Sequence, residues 1–234
     1  PWNLAMTAGG SSAGAGVGAA AGLGPLHQGS DGAGSVRIPS AFCGVFGHKP
    51  SYGRVSQAPV SNADYTTHIG PMTRTVADAA LMLSVMAGPD PLDKTAMDAP
   101  PADYVGLLDK GVKGLKIAWS PDLDGLRVDP EVAELAQKGA QAFEGLGATV
   151  EQVKCNFMDT HEMIRVMWAA HEAGIYGEHL AEWRDKMDPG LVACIADGYE
   201  VTMEQYIQWR GRKLAFCDSV WPLFEKYDLL LTPS

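Results

Sequence analysis

The sequence predicts an α/β fold, and three observations carry that reading. Residues 116–119 look like a strand, 130–147 an amphipathic helix and 148–153 a second strand, a spacing that makes a βαβ unit with parallel pairing. Two more stretches, 160–186 and 202–226, are helical by apolar periodicity. Residues 1–53 hold 13 of the 27 glycines but only Asp31, Arg37 and Lys49 from the charged set. A segment so poor in charge is expected to be interior, its backbone packed closely against neighbours. The interleaved Val17, Leu23, Leu26, Val36, Ile38, Phe42, Val45 and Phe46 argue against a flexible glycine linker.

Taken in order, the elements have local signals. Gly14 to Ala19 matches G-x-G-x-x-A, but Gly9-Gly10-Ser11-Ser12 stands where a dinucleotide site needs a strand, and the next acid, Asp31, sits in another glycine-rich turn. A small-residue helix packed in the core is the better account. Val36 to Cys43 can form a short helix ended by Gly44. Thr73 or Thr75 can cap a helix through Val76, Ala79, Ala80 and Leu83, which Gly88 and Pro89 end. Residues 91–113, rich in Asp, Pro and Lys, read as a solvated connection. Asp129-Pro130-Glu131 combines a cap, a first-turn proline and a first-turn acid, and Gly147 closes the helix it opens. Thr202-x-x-Gln205 is a capping box for the last helix, and Asp228 to Thr232 would be a further strand.

Composition limits the function. The chain has 234 residues, 46% hydrophobic and 20% charged, which excludes a disordered chain or a disulfide-rich miniprotein. A net charge of −10 argues against a nucleic-acid binder, which needs a basic face to displace counterions. Cys43, Cys155, Cys194 and Cys217 form no CxxC pair and read as free thiols in a reducing, cytoplasmic compartment. No stretch has the hydrophobicity of a spanning helix or the basic start of a signal peptide.

Several chemical constellations fail. His171-Glu172 and Glu178-His179 do not fit H-E-x-x-H and have no third ligand nearby, so no metal is expected. No G-K-[ST] follows a glycine loop, which leaves a phosphate cradle without support. Two serine-bearing turns remain, Gly9-Gly10-Ser11-Ser12 and Gly29-Ser30-Asp31-Gly32-Ala33-Gly34-Ser35. The second suits acyl transfer, because small residues before Ser35 leave consecutive N–H groups open to a carbonyl oxygen. Either turn alone reads more readily as an ordinary glycine turn with a solvated serine.

Together they are more specific. Gly9 to Gly14, then Gly29 through Gly44, Gly47 through Val55, Ile69 through Asp78 and Ala87 through Pro91 closely resemble the amidase signature family. Residues 1–93 carry the signature core, and 94–234 match as the variable, substrate-side portion of the same domain. The resemblance implies a mixed, largely parallel central sheet flanked by helices, incomplete at both ends of this chain. It also implies hydrolysis of carboxylic amides through an acyl-enzyme, with a Ser–Ser–Lys triad and no cofactor or metal. Ser35 is then the nucleophile, and Ser11 is the bridging serine, which in this family follows a cis peptide bond. The N–H groups of Gly32, Ala33, Gly34 and Ser35 form the oxyanion hole, and Ser12, Asp31 and Arg37 hold the two turns together. A bridging serine relays the Ser35 proton to a neutral lysine and returns it to the leaving amine.

Two departures stand out. Ala33 occupies a place where the family commonly has glycine; its methyl trims the approach but leaves its N–H. The family lysine lies well upstream of the bridging serine, in a segment this chain does not contain, and Lys49 belongs to another motif. The chain, opening at Pro1 and halting at Ser234 after an apolar run, therefore reads as an internal fragment, inactive by itself. The expected partner is a small-molecule amide, with no nucleic acid bound directly and no membrane; a homodimer is compatible with this. Two rival readings remain. One is the glutamine-amidase component of a tRNA-dependent amidotransferase, against which stand Ile38 before the proline, where such proteins usually have a polar residue, and the tryptophan-rich 155–221. The other is a catalytically dead scaffold homologue.

Overall fold

Four side chains divide much of the chain into its helices by accepting hydrogen bonds from the first turn that follows them. Thr75 accepts from the Asp78 N–H, Asp129 from Glu131, Asp188 from Gly190 and Leu191, and Thr202 from Gln205. Each satisfies a backbone donor that a helix start leaves orphaned. The computed structural model describes residues 2–61 and 65–234, so Pro1 lies outside the described residues. It separates into two compact units, one up to Lys110 and the other Gly111–Pro233.

In the first unit, α1 (Ala13–Ala20) leads to β1 (Leu26–Asp31), α2 (Arg37–Cys43), β2 (Phe46–Gly47), β3 (His68–Thr73) and α3 (Val76–Met86). β3 is the middle strand of an antiparallel sheet ordered β1-β3-β2, with Leu26 opposite Thr73 and Asp31 opposite His68. Its inner residues Gly70 to Thr73 are buried, and Met72 fills the core beside Val36 and Cys43. α1 is the expected small-residue helix, burying Gly16, Gly18 and Ala19. α2 ends at Gly44 in the left-handed conformation, as expected.

In the second unit, β4 (Lys116–Trp119), α4 (Pro130–Gly145) and β5 (Thr149–Gln152) form the expected strand–helix–strand unit. They are followed by α5 (His161–Tyr176), α6 (Leu180–Trp183), α7 (Pro189–Tyr199), α8 (Met203–Phe224) and β6 (Leu229–Leu231). β4 lies between β5 and β6, all parallel, with Ile117 opposite both Val150 and Leu229. Ile117 and Ala118 are fully buried, as a central strand requires. Met163, Val166 and Ala169 of α5 are buried together with Ile195 of α7 as the helical core.

The α/β class and the mixture of strand directions therefore take the form of two three-stranded sheets, one antiparallel and one parallel. Four local expectations need correction. Residues 1–53 are not interior throughout: Trp2, Leu4, Met6 and Leu23 are exposed, because no described element packs over them. Gly29, Ser30 and Asp31 are strand rather than turn, since pairing with β3 supplies them a ladder that sequence alone cannot show. The 91–113 connection is not simply solvated. Asp93 is buried and accepts from the Gln57 N–H, the Thr95 N–H and the Thr95 hydroxyl, while Gly106–Lys110 forms a 3₁₀ turn. Finally, the helix expected over 160–186 stops at Tyr176 and continues as 3₁₀ turns and the short α6. Gly174 and Gly177 weaken it there, and Gly177 packs directly under the Tyr199 ring. Helix α7 is unanticipated, although Asp188-Pro189 repeats the cap-and-proline start seen at Asp129-Pro130.

Candidate functional site

The antiparallel pairing of β1 with β3 fixes the base of the second serine turn, and Asp31, the last residue of β1, organises the rest. Its side chain is completely buried. Oδ1 accepts from the Gly34 N–H at 2.7 Å, and Oδ2 accepts from the Val36 and Arg37 N–H groups at 3.2 Å each. The Arg37 guanidinium adds a bidentate contact, Nε to Oδ2 at 2.9 Å and Nη2 to Oδ1 at 2.8 Å. One carboxylate thus folds the chain back on itself around Ser35. Burial alone would raise the Asp31 carboxyl, but Arg37 and the backbone donors outweigh it and hold the group well below the usual carboxylate range. Arg37 is pushed upward, chiefly by its hydrogen bond to Asp31. Its own side chain is half exposed, so the pair is a buried anion reached by a partly solvated cation.

The first serine turn is tied to this one at two points. The Ser12 N–H donates to the Ser35 carbonyl at 3.2 Å. The Ser12 hydroxyl donates to the Ser30 carbonyl and accepts from the Ser30 N–H, both at 3.2 Å. That contact depends on Gly29, where a Cβ would sit 2.8 Å from Ser12 Oγ and 2.8 Å from Met72 Sδ. Ser12 thereby stitches α1 to β1 and brings the two turns side by side. Ser11 is exposed and Ser35 half-buried, and the peptide bond between Gly10 and Ser11 is cis.

Four backbone donors are expected to converge on a substrate oxygen, and here the geometry differs. The Gly34 N–H is directed at Asp31 and is taken. Gly34 also has φ of +116°, a conformation that glycine alone adopts without strain, which turns its N–H inward. The N–H groups of Gly32, Ala33 and Ser35 have no acceptor among the described residues. Of the four donors, the Gly34 N–H is therefore spent on Asp31, and the other three are left without an acceptor among the described residues.

Behind the turn lies a set of basic groups that sequence reading does not assign to the site. The His68 ring, opposite Asp31 in the sheet, places Nδ1 2.6 Å from the Thr66 carbonyl and 3.3 Å from that of Asp31. Donation to a carbonyl requires the proton on Nδ1. Burial and the nearby Lys49 charge lower His68, and the same two causes lower His48. Lys49 is itself lowered by burial and by Arg37, and its Nζ donates to the Pro50 carbonyl at 3.3 Å. No local motif marks His68, because its neighbour is chosen by strand register 37 residues away.

Elsewhere, His171 packs against Trp168 with ring centroids 6.0 Å apart, and His179 lies 3.8 Å from Glu178. All four cysteines are free, with Cys43 and Cys155 buried. Among the described residues, no helix is long and apolar enough to cross a membrane.

The chain is similar to known proteins in both sequence and fold. The sequence matches the family model for Amidase over residues 1–234. It is 41% identical over 243 residues to an acylamidase from Rhodococcus erythropolis, covering all of this chain and 50% of that protein. It is 34% identical over 263 residues to a component of the glutamyl-tRNA(Gln) amidotransferase of Alkaliphilus metalliredigens, covering all of this chain and 53% of that protein. The chain thus spans about half the length of the curated relatives it matches. Among solved structures, a bacterial aryl acylamidase of the amidase signature enzymes superimposes with a TM-score of 0.89 at 30% identity, over 100% of this chain and 50% of that one.

Proposed function

This chain belongs to the amidase family, and from that premise we propose that the protein hydrolyses carboxylic amides through an acyl-enzyme on Ser35. One observation carries the residue assignment: the Ser12 backbone and hydroxyl hold the Ser11 turn directly against the Ser35 turn. In this reading Ser35 attacks the amide carbonyl and passes its proton through Ser11 toward a lysine base. The N–H groups of Gly32, Ala33 and Ser35 receive the oxyanion, while Asp31 and Arg37 keep the loop in shape. Loss of one such donor costs about 2.7–4 kcal/mol of transition-state stabilisation. The ten residues preceding Ser11 contain no lysine. The resemblance puts the lysine base upstream of the bridging serine, so the base is proposed to lie in the part of the protein that these 234 residues do not cover, and the isolated chain is expected to be inactive.

The relatives support two substrate classes. Identity of 41% to an acylamidase over the entire chain favours simple acyl amides. The 34% match to an amidotransferase component supports glutamine as the amide, with ammonia passed to a partner. A fluorophosphonate probe applied to the full-length protein is expected to label Ser35, and Ser35→Ala to abolish both labelling and amide turnover. Labelling at another residue, or turnover by the isolated chain, refutes the corresponding half. A panel of acyl amides against glutamine then separates the classes, since partner-dependent glutaminase activity alone excludes the first.

A further inference from the structure

We infer that a recess in the first unit, between α3 and the Phe46–His48 pair, binds a small flat aromatic molecule bearing a neutral hydrogen-bond donor, of which phenol is the simplest case. Its lining includes no residue of the Ser11 or Ser35 turns, and the proposal does not depend on the catalytic reading.

The recess begins with a helix face. Val76, Ala79, Ala80 and Leu83 lie at i, i+3, i+4 and i+7 of α3, and the two alanines at the middle leave a depression between the larger ends. Phe46 and His48 stand opposite, two residues apart and so on the same side of the extended chain. Their rings are within 9° of parallel, with centroids 6.5 Å apart. A guest ring laid flat on one is consequently parallel to the other, which gives a planar molecule one preferred orientation and a puckered one none.

Volume and polarity narrow the guest further. The cavity measures about 170 Å³. An apolar cavity of ~150 Å³ is known to hold one benzene, so a single substituted ring fits. Tyr104 and Leu108 complete the lining; of its two ionisable side chains, His48 and Tyr104, His48 is half-buried and its ring nitrogens have no hydrogen-bond partner among the described residues. Burial and Lys49 favour its neutral form, which leaves one ring nitrogen as an acceptor. An O–H on the guest satisfies it. Charged guests are opposed from both directions, a cation by the Lys49 charge and an anion by the apolar walls.

Phenol titrated into the isotopically labelled full-length protein is the test, read by amide and imidazole NMR shifts. Saturable shifts confined to residues 46–48, 76–83 and 104–108 are expected. Cyclohexanol, of similar size but puckered, should bind at least several-fold more weakly. His48→Phe retains the parallel ring and removes the acceptor, so it should weaken phenol about tenfold, to the level of benzene, as for loss of one hydrogen bond. Ala80→Leu fills the depression and should abolish binding with the circular dichroism spectrum unchanged. Absence of saturable shifts, equal affinity for cyclohexanol, or shifts scattered over the surface would overturn the proposal.

Discussion

Replacing Asp31 with asparagine tests whether one buried carboxylate organises the Ser35 turn. The two side chains have nearly the same shape, so packing is preserved and only the acceptors change. Oδ1 serves Gly34 N–H and Arg37 Nη2, while Oδ2 serves the Val36 and Arg37 N–H groups and Arg37 Nε. Whichever oxygen becomes an NH₂, at least two donors are left facing a donor. The less damaging orientation places NH₂ at Oδ1. It loses the buried Gly34 bond, at about 1–3 kcal/mol for a donor left unsatisfied, and the Arg37 Nη2 bond. The Arg37 share is discounted because that side chain is half exposed and regains water. The total is about 3 kcal/mol, equivalent to roughly 150-fold in a local opening equilibrium.

Hydrogen exchange reads that equilibrium directly. In Asp31→Asn, the Gly34, Val36 and Arg37 amides should exchange roughly 150-fold faster, while Ile117 and Ala118 in the second unit remain unchanged. The wild-type protein adds a pH signature. Because folding depresses the Asp31 carboxyl, its contribution is fully present above the ordinary carboxylate range near pH 4 and is lost progressively as pH falls below it. Local protection at these amides should thus decline on acidification in the wild type and show no such decline in the variant. An acceleration below about threefold, or the same acid dependence in both proteins, would refute the idea that Asp31 holds the turn.

Other perturbations follow from the same geometry. Gly29→Ala drives a methyl against Ser12 Oγ and Met72 Sδ, and overpacking of this kind should lower stability by about 1–3 kcal/mol in urea titrations. The same variant should slow fluorophosphonate labelling of the full-length protein at Ser35, because Ser12 no longer draws the turns together. Ser40 is 4% exposed and its hydroxyl has no hydrogen-bond partner among the described residues, so Ser40→Ala should be neutral or stabilising by up to ~1 kcal/mol in the same assay. Thiol titration with a disulfide reagent should show Cys217 reacting first. Cys43 and Cys155 are buried, and burial raises the Cys155 and Cys194 thiols, which reduces their thiolate fraction.

Local elements are legible where the signal is short-range. The Asp129-Pro130 start, the Thr202 capping box and the close of α2 at Gly44 all rest on contacts within four residues of one another. A continuous helix over 160–186 fails for the complementary reason. Apolar periodicity persists through Tyr176, but the Tyr199 ring packed on Gly177 comes from another helix. The two serine turns are recognisable as small-residue runs, and their resemblance to the amidase signature singles out Ser11 and Ser35. The spent Gly34 N–H is not recognisable, because a glycine in sequence does not reveal which way its amide points.

By itself the sequence determined the α/β class, the family and the order of most elements, since periodicity, caps and residue size act between near neighbours. Tertiary structure decided the rest. It set Asp31 opposite His68, passed the Ser12 hydroxyl over Gly29 to Ser30, and divided the strands into an antiparallel and a parallel sheet. Each of these joins groups far apart in the chain, and several acceptors were chemically equivalent until folding brought one within about 3 Å of its donor.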